Sequence, residues 1–398
     1  MKKLILSLLV VSLILSSCTS SDDEGTTAST LGSGELSGDA TVNKTYIKGN
    51  YTLVGVVKIK SGTTLTFDAG STITADVSNG FDAILVENGG KLIMNGTAAE
   101  PIVCTHITKV AGSWGGIIMY GDAPIVGAAS VTTANSEDGI TNNSGGGSIP
   151  YSYGGTNPTH NGGSLKYVRV EYAGKKIADG TAELNGFSFY AVGSGTVLEN
   201  LVSYKGNDDG FEFYGGTVSA TNLISYGNAD DSFDWQDGWR GELNNNWYAY
   251  QVGVGNFGME IEAKSVNNAF GPKVANITLK RAVGTITEGG SSAAEYDAIQ
   301  FKKQGNGEYT NILISGYLTT GATAVRIQDV ATNTDQVNGN KIKLLGVKIL
   351  DAATTVSAGA SGVTVAFPAA NYVINTTATG ATLTPGAWAT VDGVNLLQ

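Results

Sequence analysis

Past an apolar N-terminal run, the chain is written as short apolar strands broken by glycine. The stretches LTFDAGSTITA (Leu65 to Ala75), AILVENGGKLIMNGTAAEPIVCTHI (Ala83 to Ile107) and SWGGIIMYGDAPI (Ser113 to Ile125) each read as strand, Gly turn, strand. No amphipathic helical period interrupts them. A long run of strands without crossover helices has to form a sandwich, a barrel, a propeller or a solenoid.

An internal repeat chooses among these. Asn200, Leu201, Ser203, Tyr204, Asp208, Asp209 and Phe211 recur 22 positions later as Asn222, Leu223, Ser225, Tyr226, Asp230, Asp231 and Phe233, without a gap. A repeat of this length is one coil of a parallel β-helix, whereas a propeller blade needs about twice as many residues. NGFSFY (Asn185 to Tyr190), ANITL (Ala275 to Leu279) and TNILIS (Thr310 to Ser315) carry the same frame with loops inserted. The fold class is therefore all-β, a right-handed parallel β-helix with coils of about 22 residues. Stacked coils lie about 4.8 Å apart, so Asn200, Asn222, Asn276 and Asn311 are expected to form an inward asparagine ladder, each amide bonding the next.

The same stacking brings acids together. Asp208 falls near Asp230, Asp209 near Asp231 and Glu212 near Asp234, and two unit charges at that spacing repel by roughly 3.5 kcal/mol at an effective dielectric near 20. Alternation along the strand sends Phe211 and Phe213 into the core and Asp208 and Glu212 outward, with Asp209 turned to backbone amides at a corner. For the outer four, Asp208, Glu212, Asp230 and Asp234, a calcium ion is an economical solution, because it accepts oxygen ligands at adjustable spacing. The competing arrangement splays them into water or pairs them with Lys205 and Arg240.

Composition agrees with a strand-rich, extracellular chain. Of 398 residues 55 are Gly, charged residues make up 15% and the net charge is −11, which makes nucleic acid an improbable partner. Lys2 and Lys3 precede an apolar run, Leu4 to Leu15, too short to span a bilayer, and Ser16 and Ser17 lead to Cys18. The end of this segment, LSSC, resembles the lipobox of bacterial lipoproteins, in which cleavage leaves the cysteine acylated. Asp22, Asp23 and Glu24 follow, similar to the signal that sends some lipoproteins to the outer face of the outer membrane. With Cys18 so used, Cys104 is alone and forms no internal disulfide.

The motifs WGGIIMYGDAPI, LKYVRVEYAG, GNDDGFEFYGGTV, GNADDSFDW and MEIEA together resemble a family of secreted bacterial β-helix lipoproteins, from roughly Leu65 to Ile277. The resemblance implies the fold and carries no catalytic residue across.

Signatures for phosphate cradles, zinc proteases, redox dithiols and serine hydrolases are absent, and His106 and His160 have no visible partner for a triad. GNDDG resembles the paired aspartates of polygalacturonase-type glycoside hydrolases, and VRIQ (Val325 to Gln328) their later Arg-Ile-Lys element. The histidine-glycine motif between them is missing, however, and Gln328 stands where the lysine should be. Asp208, Asp209, Asp230 and Asp231 are the candidates if there is catalysis. A second cluster, DWQDGWRGELNNNWYAYQ, gathers Trp235, Trp239, Trp247, Tyr248 and Tyr250, which would hold sugar rings if exposed and plug the solenoid core if not.

The sequence thus divides into a lipoprotein signal (residues 1–17), a tether (18–45), the β-helix (46–350) and closing coils or a cap (351–398). It favours a lipid-anchored outer-membrane protein that binds a glycan or a surface protein without turnover, or acts as an adhesin. A polysaccharide-cleaving hydrolase or lyase is the alternative from another class, and a structural subunit of an outer-membrane complex is a third.

Overall fold

The computed structural model describes residues 31–76, 81–142, 149–177, 182–266, 271–289 and 295–398. The proposed signal peptide and Cys18 lie outside them. Among the described residues one large sheet of parallel strands winds from Gly32–Ala40 to Tyr372–Ile374. This is the expected parallel β-helix. It starts earlier than expected, since Gly32–Ala40, assigned above to the tether, pairs in parallel with Gly49–Ile59.

The repeat sets the stacking. Phe211–Tyr214 lies in register on Phe233–Gln236, which lies on Met259–Ile261, then Ile299–Phe301 and Thr323–Ile327. Alternate residues point inward and form two continuous columns through the core. One runs Ile117, Phe187, Phe211, Phe233, Met259, Ile299 and Val325; the other runs Met119, Phe189, Phe213, Trp235, Ile261, Phe301 and Ile327. All fourteen are essentially inaccessible to water. Cys104 is a buried free thiol in the same core.

The remaining faces come from longer strands that bend. Val197–Tyr204, Ala220–Tyr226, Asn244–Gln251, Lys273–Arg281 and Gly307–Ser315 stack in parallel, each turning at a residue in the left-handed region: Asn200, Asn222, Asn246, Asn276 or Asn311. Asparagine suits this bend because it tolerates positive φ better than other residues with a side chain. Its amides also form the expected ladder. Asn222 donates to Asn200 (2.9 Å), Asn246 to Asn222 (3.0 Å), Asn276 to Asn245 (2.6 Å) and Asn311 to Asn276 (2.6 Å). The ladder is not inward, however. It is half-buried at the outer corner, where the backbone bend aims the side chains away from the lumen.

What covers that corner is the C-terminal segment. After Tyr372–Ile374 the chain turns back along the outside of the solenoid. Thr379 N–H bonds Asn311, Thr382 N–H bonds Asn246, and Tyr248 donates its hydroxyl proton to the carbonyl of Gln398. Trp388, Val391 and Leu396 pack on a stripe of Tyr172, Tyr204, Tyr226 and Tyr248. The tail is thus two rungs followed by a strap rather than an end cap alone.

Candidate functional site

One open face of the solenoid carries the acids. Between the core residues of Phe211–Tyr214 and its neighbours, the outward positions form their own column: Ser188, Glu212, Asp234, Glu260, Gln300 and Arg326. Asp208 and Asp230 join it from the turns preceding two of these strands. Those turns are tight. A Cβ on Gly210 would stand 2.6 Å from Ser225 Oγ and 2.7 Å from the Ser232 carbonyl, so only glycine lets the next coil stack there.

Asp208, Asp209, Glu212, Asp230, Asp234 and Glu260 line a groove of about 440 Å³, walled also by Glu137, Glu183, Tyr214, Gln236, Glu262, Lys264, Lys302 and Lys303. The carboxylate oxygens of Glu183, Asp208 and Asp230 lie within 4.8 Å of one another, as do those of Asp209, Glu212 and Asp234. The four acids expected to share an outer face therefore line one groove, but in two clusters, Asp208 with Asp230 and Glu212 with Asp234. They are far less exposed than alternation alone suggests, because inserted loops flank them: Asp208 is 4% and Glu212 6% exposed.

Lysines border the groove at several points: Lys176 pairs with Glu183 and Glu288 (2.6 Å each), and Lys264 lies 4.0 Å from Glu137, Asp237 and Glu262. Lys302 pairs with Glu260 and, at 3.6 Å, with Glu262, while Lys303 pairs with Glu262 at 2.9 Å. Glu212 is held by neutral donors: Asn185 Nδ2 (2.6 Å), Gln236 Nε2 (3.0 Å) and the Tyr214 hydroxyl. Asp230 accepts from Asn256. Asp208, by contrast, accepts no hydrogen bond and forms no ion pair among the described residues. The buried polar atoms left unpaired around the groove are all acceptors, namely Asp234 Oδ1, Gln236 Oε1 and Asn185 Oδ1.

Burial and mutual repulsion raise the acids. Glu212 is pushed up to about 8 by burial and then by the charge of Glu137, against the pull of its three donors. Asp230 rises to about 7 through burial and the charges of Glu288 and Glu260. Asp208 and Asp234 are likewise held well above the usual carboxylate range, first by burial and then by neighbouring carboxylates. A cluster of this kind is short of positive charge.

Other expected site residues are placed differently. Asp209 accepts the backbone N–H of Asp231 (2.8 Å), and Asp231 accepts that of Phe257 (2.6 Å), so this pair ties coil to coil. Lys205 lies over the Tyr204 ring rather than beside the acids. The aromatic cluster offers no sugar platform. Trp235, Trp239 and Trp247 are at most 1% exposed, with Trp239 stacked 4.4 Å from Phe213. Trp235 takes the inward place of Phe213 one coil on, Trp247 sits between Leu223 and Ile277, and the turn at Asp237 and Gly238 folds Trp239 back over the core. Tyr248 lies under the C-terminal strap and Tyr250 at its edge.

Several groove residues escaped the sequence reading. Glu260 was legible, since GMEIE (Gly258 to Glu262) aligns with GFEFY and puts Glu260 in the place of Glu212. Glu137 and Glu183 come from insertions outside the repeat and left no signal.

Stacked parallel coils of short strands define the class as a parallel β-helix. The chain belongs to the pectate-lyase-like beta helix domain family, whose model matches residues 34–391. Comparison with curated proteins and with solved structures gives no match.

Proposed function

We propose that the chain binds a glycan in the acid groove, through a calcium ion held by Asp208, Glu212, Asp230 and Asp234, at the outer surface of a cell to which Cys18 anchors it by lipid. The carrying observation is Asp208, a buried carboxylate facing two others with no partner of its own. Carboxylate and amide oxygens are the donor set calcium prefers, and an ion there supplies the missing positive charge. Bound calcium would leave ligand positions for sugar hydroxyls or carboxylates, while Lys302 and Gln236 orient the rest. Family membership is compatible with a polysaccharide-related role, and the outer-membrane location rests on the lipobox-like N-terminus.

A glycan array probed in calcium and again with chelator tests this. Retention should vanish on chelation and in an Asp208→Asn, Asp230→Asn double variant. Retention indifferent to both, or no retention of any glycan, sinks the reading.

A second reading has an observation of its own. Glu212, protonated near neutral pH, stands within 4.8 Å of Asp234, a separation close to that of the acid and nucleophile of retaining glycosidases. Reducing sugar released by the wild type and lost in Glu212→Gln would replace binding by hydrolysis.

A further inference from the structure

We infer that the groove holds the end of a glycan chain and not its interior. The inference rests on the glycan reading just given and adds the mode of binding to it.

The face bearing the acids is closed on one side. One coil before Glu212, the outward residues Ser188 and Tyr190 are buried, and so are Ile118 and Tyr120 before them. What buries them is an insertion that crosses the face from edge to edge. On one edge Tyr153 donates to Asp237 (2.6 Å), Glu137 accepts from Gln236 (2.8 Å), and Val126 N–H bonds the Asp237 carbonyl. On the other edge Gly139 packs against Ile177 and Ala182 of a short hairpin. Between the edges, Asp138 is wholly buried and accepts from Ser136 Oγ (3.1 Å), the Ile140 N–H (2.9 Å) and the Tyr120 hydroxyl. Tyr120, Tyr190 and Tyr214 stack below, with Tyr151 and Tyr153 above. This wall is a packed aromatic and hydrogen-bonded plug, so a polymer cannot run past it.

The opposite direction is open. Beyond Glu260 and Lys302 a second hollow of about 280 Å³ continues the first, lined by Glu295, Gln300, Arg326, Gln328 and Gly359. No described segment crosses the face there. From Glu212 to Arg326 the outward column spans four strand spacings, about 19 Å at 4.8 Å each, which is room for more than one sugar ring. The closed end holds Asp208, 4% exposed and without an ion pair of its own, beside Glu183, whose charge Lys176 takes up, whereas Lys302 and Arg326 mark the open end. A chain therefore enters by its terminus, and its last unit meets Asp208, Asp230 and Glu212.

The test uses the whole protein with dextran, chitosan and a polyuronate, in calcium, each as long polymer and after partial acid hydrolysis to about one tenth of the mean length. At equal sugar mass, hydrolysis multiplies chain ends about tenfold. End recognition predicts that the mass of sugar needed for half-saturation falls about tenfold for whichever polymer binds. Unchanged or weakened binding after hydrolysis overturns end recognition and leaves glycan binding standing. No binding by any of the three, long or short, counts against both.

Discussion

Glu212 lies in direct register with Asp234 on adjacent parallel strands, and both carboxylates face the same groove. Two full charges at that strand spacing would repel by roughly 3.5 kcal/mol at an effective dielectric near 20. A proton on Glu212 removes that repulsion: burial and then the charge of Glu137 push it up to about 8, against the pull of the donors Tyr214, Asn185 and Gln236.

That relief makes cation-free stability fall with pH. A carboxyl raised in the folded state contributes fully below its unfolded value and loses its contribution as pH climbs through the folded one. For Glu212 the window runs from 4.5 to about 8, and for Asp230 from 3.8 to about 7. In chelator, the melting temperature should therefore drop between about pH 5.5 and pH 8.5. Glu212→Gln should flatten the upper part of the curve, and a wild-type curve flat across the range would contradict the account.

Calcium should reverse the trend, because deprotonated carboxylates are its ligands. Added calcium is expected to raise the melting temperature more at pH 8.5 than at pH 5.5, with a stabilisation of about 3 kcal/mol at a hundredfold excess over Kd. The Asp208→Asn, Asp230→Asn double variant should lose the shift. An equal shift in that variant would remove the ion from these residues.

Trp247→Ala should destabilise by about 3–5 kcal/mol, as expected for emptying a buried indole site. The side chain is inaccessible and its Nε1 donates to the Ala220 carbonyl at 3.0 Å. Urea unfolding measures this; a loss under about 1 kcal/mol would return the indole to the surface and revive it as a sugar platform.

At the bend, Asn222 has φ of 60° and both donates to Asn200 and accepts from Asn246. Asn222→Gly keeps the backbone free and loses only the two amide bonds, about 1–3 kcal/mol together. Asn222→Ala adds the cost of a left-handed non-glycine residue, about 1 kcal/mol more. Equal melting temperatures for the two variants would show that the bend itself is unstrained.

Membrane attachment through Cys18 is tested by Cys18→Ala. The variant should stay unprocessed or leave the membrane fraction, as followed by fractionation and by metabolic labelling with a fatty acid. Normal cleavage with full membrane retention argues against lipidation.

The sequence by itself determined the solenoid and its register. The 22-residue repeat is local chemistry copied coil by coil, so the alignment of NDDGFEF with ADDSFDW already placed Phe211 on Phe233, Glu212 opposite Asp234, and Asn222 beside Asn200. The same alignment puts Trp235 in the inward place of Phe213, so its burial was legible too. Only the tertiary structure decided the fate of Trp239, which a left-handed turn at Asp237 folds back over Phe213. It also decided the shape of the groove. Glu137 and Glu183 reach it from insertions that obey no repeat, and whether such a segment lies across a face or away from it depends on contacts far apart in sequence, as between Tyr153 and Asp237. Alternation told which side of the strand Asp208 would occupy. How deeply it is buried was set by those insertions, and burial is what turns an exposed acid into an unpartnered one.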